Sequence, residues 1–320
     1  MLVHRPQLPA LPLERWKATK DTLHLWAQIV GKVRMASSPP RNHWWHTTLY
    51  VDVRGLTTRR MHAPGGLAFQ IDFDFIDHRV VVRTDAGAIE SFELYDGLSV
   101  ARFDEELHAI LNRLQVDVEI RETPFGVPMT TPFPRDAEHA AYDRDAVECF
   151  WRILDWTDSV FEEFAGWYCG KTSPVQLFWH SFDLALARFG GGRAPAFPDA
   201  DAVTQEAYSH EVIAFGFWAG DERVRAPTFY SYTAPEPAGL PTQALLPDEA
   251  HWTEFGSGSL ALLSYEDVRN AADPRATLLA FLESAYRAGA GLAGWDIEDL
   301  TSSWCPDWLP SLLGESVSSS

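Results

Sequence analysis

Cysteine is scarce. Cys149, Cys169 and Cys305 are the three in 320 residues, with no CxxC pair and no spacing that frames a zinc site. A disulfide scaffold is excluded, and a reducing, cytoplasmic setting fits best. No apolar run approaches the ~20 residues a membrane-spanning helix needs. Met1 to Trp16 carries Pro6, Pro9 and Pro12 in place of a basic stretch followed by an apolar one, so no signal peptide is expected. Positive charge is also short, 26 Lys and Arg against 45 Asp and Glu, for a formal charge of -19. Nucleic acid and anionic membranes are bound through a basic face that displaces counterions, and none is evident. The acidity reads as solubility.

Familiar catalytic signatures are missing too. Gly190-Gly191-Gly192 lacks the surroundings of a dinucleotide or phosphate loop. Ser181 and Ser209 are only sequence neighbours of His180 and His210, and no GxSxG elbow exists. Aromatic residues, by contrast, are abundant. Thirteen Trp and a 46% hydrophobic composition rule out disorder and suit a Trp-rich core or an aromatic-walled pocket.

Two words repeat. Trp45-His46 returns as Trp179-His180 and Arg54 as Arg188, both at an offset of 134. Upstream of each lies a helical pattern closing on Gly31-Lys32 or Gly170-Lys171, then Ser38-Pro39 or Ser173-Pro174. Shared order and near-constant offsets point to an internal duplication. A helical stripe runs through Trp16, Leu23, Trp26 and Val30, with Gly31 as its stop. Phe69 to Phe75 alternates as a half-buried strand, Asp77-His78 turns, and Val80–Val82 returns. Ser99 caps a helix through Leu114, and Asp145-Ala-Val-Glu148 reads as a capping box. Ile213–Phe217 echoes Ile71–Phe75, Thr228–Thr233 follows as a strand, and Asp273-Pro274 opens a last helix.

The expectation is an α+β protein: a duplicated α-β-β-β-β-α unit with antiparallel sheets, helices on one face and a pseudo-twofold. Residues 1–122 form the first repeat, 123–136 a Pro-rich connector, 137–300 the second repeat with an insertion at about 234–250, and 301–320 a tail. The words Leu23-His-Leu-Trp26, Asn42-His-Trp-Trp-His46, Arg54-Gly-Leu-Thr-Thr58, Phe73-Asp-Phe-Ile-Asp-His78, Ser181-Phe-Asp-Leu-Ala185, Ala207-Tyr-Ser-His-Glu211 and Phe229-Tyr-Ser-Tyr232 together resemble an uncharacterised bacterial family known as a domain of unknown function. The likeness covers most of residues 8–300 and implies no activity, cofactor or catalytic residue.

A site must therefore come from chemistry. His46 and Arg54 stand eight residues apart, roughly 26 Å along a straight strand at about 3.3 Å each, so the two ends of each sheet are separate candidates. At the second-repeat end, Arg188, Arg193, Tyr208, His210, Glu211, Tyr230, Tyr232 and Glu236 converge. Arg188 and Arg193 would hold a small polar or anionic molecule, His210 with Glu211 would move a proton, and the tyrosines and Glu236 would shape the wall. The opposite reading of the same residues is a sheet edge capped by salt bridges. A non-catalytic binding or interaction scaffold is the alternative function, and a metalloenzyme using His46 and His180 the third. No cofactor is identified, and the expected partner is a small-molecule ligand, with neither nucleic acid nor membrane.

Overall fold

The computed structural model describes residues 8–196, 199–256 and 258–306. In chain order it begins with α1 (Leu13–Ala36), a single 3-10 turn (Asn42–Trp44), β1 (Tyr50–Asp52), β2 (Gly55–Thr57), β3 (Met61–His62), β4 (Ala68–Asp74), β5 (Arg79–Thr84), β6 (Ile89–Glu93) and α2 (Val100–Arg113). There follow α3 (Arg144–Gly166), β7 (Lys171–Thr172), β8 (Gln176–Phe178), β9 (Asp183–Arg193), α4 (Ala202–Ala207), β10 (His210–Trp218) and β11 (Thr228–Ala234). The last elements are β12 (His251–Phe255), β13 (Gly258–Ser264), α5 (Tyr265–Asn270) and α6 (Pro274–Leu292). This is an α+β fold with two antiparallel sheets and, among the described residues, six α-helices. No helix among them is long and apolar enough to cross a membrane.

The chain divides into two units. One comprises Pro9–Asp155 and Gln176–Asp183; the other has Leu8, Trp156–Val175 and the residues from Leu184 onward. The division falls inside α3, whereas the sequence suggested a boundary in the Pro-rich segment before it.

In the first unit the sheet order is β1-β2-β4-β5-β6, with β3 on β4. Every residue of α1 from Thr22 to Arg34 is buried, so this helix is the unit's spine. Its polar members His24, Gln28 and Lys32 follow at four-residue steps and align along one side. Each is satisfied by backbone. His24 Nε2 lies 2.9 Å from the Trp179 carbonyl. Gln28 donates to the Phe125 carbonyl and accepts from the Phe125 N–H, both at 2.9 Å. Lys32 Nζ donates to the carbonyls of Arg121, at 2.9 Å, and Thr123. The Pro-rich segment is thus a strap fastened along α1, not a linker: its backbone supplies the partners that buried polar side chains require.

Gly31 does not end α1. The helix runs on to Ala36, and a Cβ at Gly31 would lie 2.2 Å from Trp179 Cδ1, so the glycine makes room for an indole. The capping box at Asp145 is likewise displaced: Asp143 Oδ1 accepts from the Ala146 N–H at 3.2 Å. Ser99 caps α2 as its sequence suggests, accepting from Arg102 N–H.

In the second unit the sheet order is β12-β13-β11-β10-β9-β7. β11 pairs β10 with Tyr232 opposite Ala214 and Tyr230 opposite Gly216. α6 lies against one face, where a Cβ at Gly289 would meet Thr233 Oγ1 at 2.2 Å and Ile213 Cδ1 at 2.9 Å. Ile213, Phe215 and Phe217 alternate toward that side and are fully buried or nearly so.

Local structure does not establish the duplication. Between His46 and Arg54 only Tyr50–Asp52 is strand, and it doubles back at once, Asp52 pairing with Gly55. Arg54 therefore sits at a hairpin tip, half-exposed and paired at 2.8 Å with both Asp74 and Asp77. Its sequence counterpart Arg188 lies within an eleven-residue strand at 1% exposure. The straight strand from His46 to Arg54 assumed for the 26 Å separation does not exist.

Candidate functional site

Arg188 is a core residue. Its guanidinium carbon stands 3.6 Å from the Phe164 ring centroid, 4.5 Å from that of Tyr286 and 5.0 Å from that of Tyr168. Its Nη2 donates to the Phe164 carbonyl at 2.5 Å, and Nη1 lies 3.7 Å from Glu283 Oε2. Burial lowers its pKa to about 10, against the raising effect of Glu283. It stays charged at neutral pH, boxed in by rings. The same enclosure pushes the Tyr286 phenol up to about 12.

The pleat divides the remaining residues. Glu211 shares a face with Ile213, the α6 side, and a Cβ at Gly192 would stand 2.8 Å from its carboxyl carbon. One residue earlier on β10, His210 points to the opposite face, and Arg193 stands in the same relation to Gly192 on β9. Tyr230 and Tyr232 occupy that outer face, parallel within 9° at a centroid separation of 6.2 Å. The Tyr208 hydroxyl reaches Tyr232 at 3.1 Å. His210 Nδ1 lies 3.1 Å from Ser209 Oγ. The eight residues expected together therefore separate. Arg188 and Glu211 lie on the inner face, His210, Arg193 and the tyrosines on the outer one, and Glu236 beyond the end of β11.

Glu211 and Glu236 do meet a common space. A cleft of ≈ 140 Å³ is lined by Glu211, Thr233, Ala234, Pro235, Glu236, Pro237, Ala293 and Trp295. Trp295 Nε1 donates to Glu211 Oε2 at 3.0 Å, fixing that carboxylate oxygen. Glu236 accepts from the Ser259 backbone N–H at 2.5 Å and from Ser259 Oγ at 3.1 Å. Glycine makes this arrangement possible. A Cβ at Gly190 would stand 2.2 Å from the Trp295 ring, and one at Gly258 would stand 2.8 Å from Glu236 Oε2. Neither carboxylate has a cationic partner among the described residues. The cleft can thus accept hydrogen bonds and positive charge, with an indole at its wall. Trp295 and Thr233 carry no motif in the sequence. The available signal was glycine inside a strand, which marks close approach by another group.

The Trp-His words lie elsewhere. His46 Nδ1 accepts from the Arg41 backbone N–H at 3.1 Å, and its ring stacks 5.4 Å from Trp44. Burial lowers the pKa of His46 and, separately, that of His180, which packs against Phe178 and Phe125. Among the described residues no three His, Cys, Asp or Glu side chains gather so as to hold a metal. Residues 8–302 match the model of a family of unknown function. No curated protein and no solved structure matches the chain.

Proposed function

The chain belongs to the family of unknown function DUF5996, and on that footing we propose that it binds a small cationic molecule, an amine or guanidinium compound, in the Glu211–Trp295 cleft. One observation carries this reading: two carboxylates and an indole line one cleft, and neither carboxylate is neutralised by a cation among the described residues. The ligand's charge is thereby opposite to the one expected from the arginines, because Arg188 is enclosed and Arg193 lies on the other face. Glu211, with one oxygen held by Trp295, is the group placed to accept a proton, so acid/base work in this cleft falls to it rather than to His210. The chain's formal charge of -19 favours capture of cations over anions at long range.

The test is calorimetric titration with methylguanidinium against wild type and Glu211→Gln. Saturable binding weakened about tenfold or more in the variant is expected, since a charge-assisted hydrogen bond is worth ~1.5–3 kcal/mol. Equal binding by both proteins removes Glu211 from the site. A second reading, a non-catalytic interaction module, rests on the outward tyrosine pair at β11. It predicts that Tyr230→Ser and Tyr232→Ser abolish capture of a protein partner while leaving methylguanidinium binding intact.

A further inference from the structure

A second cluster, in the first unit and independent of the cleft, has the opposite charge. Arg34 lies in the last turn of α1, Ser37 caps it, Arg41 and His46 flank the 3-10 turn, and Arg59 follows β2. Arg34 is 93% buried, as its 7% exposure requires, and its Nη1 donates to the Thr58 carbonyl. Arg34 and Arg59 both stand over the Tyr50 ring, at 5.3 and 3.5 Å from its centroid. Burial lowers the Arg34 pKa. The charges of Arg59 and Arg41 act in the same direction, opposed only by the Tyr50 phenol. None of the three arginines makes an ion pair among the described residues, in a chain where acids outnumber bases 45 to 26.

The cluster also holds polar atoms with nothing to bond. Arg34 Nε, Ser37 Oγ and Trp44 Nε1 are buried without a partner among the described residues. An orphaned buried donor costs ~1–3 kcal/mol, so three in neighbouring residues of one cluster mark a missing acceptor. His46 presents a further donor: its Nδ1 accepts from the Arg41 N–H, which places the proton of the neutral ring on Nε2. His43, Trp44 and Arg59 adopt left-handed backbone, with φ of 54°, 62° and 56°. Such strain in non-glycine residues gathers at ligand clamps, and here it lies in both loops that carry the donors.

We propose that Arg34, Arg41, Arg59, His46 and Trp44 form a binding site for a phosphate group. The shell is almost entirely donors, which suits a compact, fully ionised oxyanion, and Tyr50 and Trp44 add aromatic walls beside it. A free phosphate and a phosphate monoester share this chemistry.

The experiment titrates the full chain with inorganic phosphate and with phenyl phosphate at constant ionic strength set by sodium chloride, following heat and thermal unfolding. Wild type is expected to saturate and to melt at higher temperature. Arg59→Gln and Arg41→Gln, both at exposed positions, are expected to weaken binding about tenfold each. Both variants should match wild type in melting temperature without phosphate, because neither side chain is buried. Phenyl phosphate binding tighter than phosphate assigns the site to an ester; equal affinity assigns it to the free ion. Absence of saturation, equal displacement by chloride, or unchanged affinity in both variants overturns the proposal. Methylguanidinium binding should be the same in all three proteins, so failure here leaves the cleft reading standing.

Discussion

Single side chains in this protein show how burial decides between chemistry and structure. Arg188 sits among three rings beside Glu283. Removing one member of a buried pair costs ~3–5 kcal/mol, because the other charge stays desolvated. Arg287 also reaches Glu283, at 2.8 Å, and softens that penalty. Arg188→Met should therefore lower the unfolding free energy in urea by about 3 kcal/mol. A ligand-binding arginine at an open site would leave stability nearly unchanged. His24 gives a pH signature. Burial lowers its pKa from 6.5 to about 4, so the folded chain keeps the ring neutral where the unfolded chain protonates it. The unfolded state then binds more protons between these values, and stability rises with pH. The contribution is complete above pH 6.5 and is lost as the pH falls toward 4, a change of about 3 kcal/mol. In His24→Gln that part of the slope should vanish from pH-dependent denaturation curves.

At the scale of elements, glycine does more than turn the chain. Gly31 admits Trp179 against α1, and Gly190 admits Trp295 against β9. Gly31→Ala should destabilise the first unit by ~2–3 kcal/mol through overpacking, seen as a lower urea midpoint. Gly190→Ala should instead displace the Trp295 indole from Glu211 and weaken methylguanidinium binding, with a smaller loss of stability at this half-exposed position. Period-two alternation made β4 readable from the sequence; β5 followed from the Asp77-His78 turn and its valine run, β10 from its echo of β4, and β11 from its aromatic and β-branched residues. The Ser99 cap and the Asp273-Pro274 helix start were readable for local reasons, a side-chain oxygen and a fixed φ. The site was less legible. Proximity along the sequence placed His210 beside Glu211, but adjacent strand residues face opposite ways, and the residue that orients Glu211 lies 84 positions away. Arg54 and Arg188 share a word and an offset, yet one stands at a hairpin tip and the other inside a strand. Only the intervening chain decides that.

Over the whole molecule, charge supplies the selective pressure on ligands. A formal charge of -19 attracts small cations, and salt screens that attraction within a Debye length of about 10 Å at 0.1 M. Methylguanidinium binding should accordingly weaken as sodium chloride rises from low to physiological strength. Phosphate bound by the arginine cluster must be held by direct contacts against the chain's net repulsion. The central claim is that ligand enters beside Glu211 and Trp295, and an indole N–H resonance reports on that position directly. In 1H–15N spectra the Trp295 signal, assigned by its loss in Trp295→Phe, should shift progressively during methylguanidinium titration and saturate with the calorimetric heat. Saturable heat with an unmoved Trp295 resonance would place the ligand elsewhere and contradict the account.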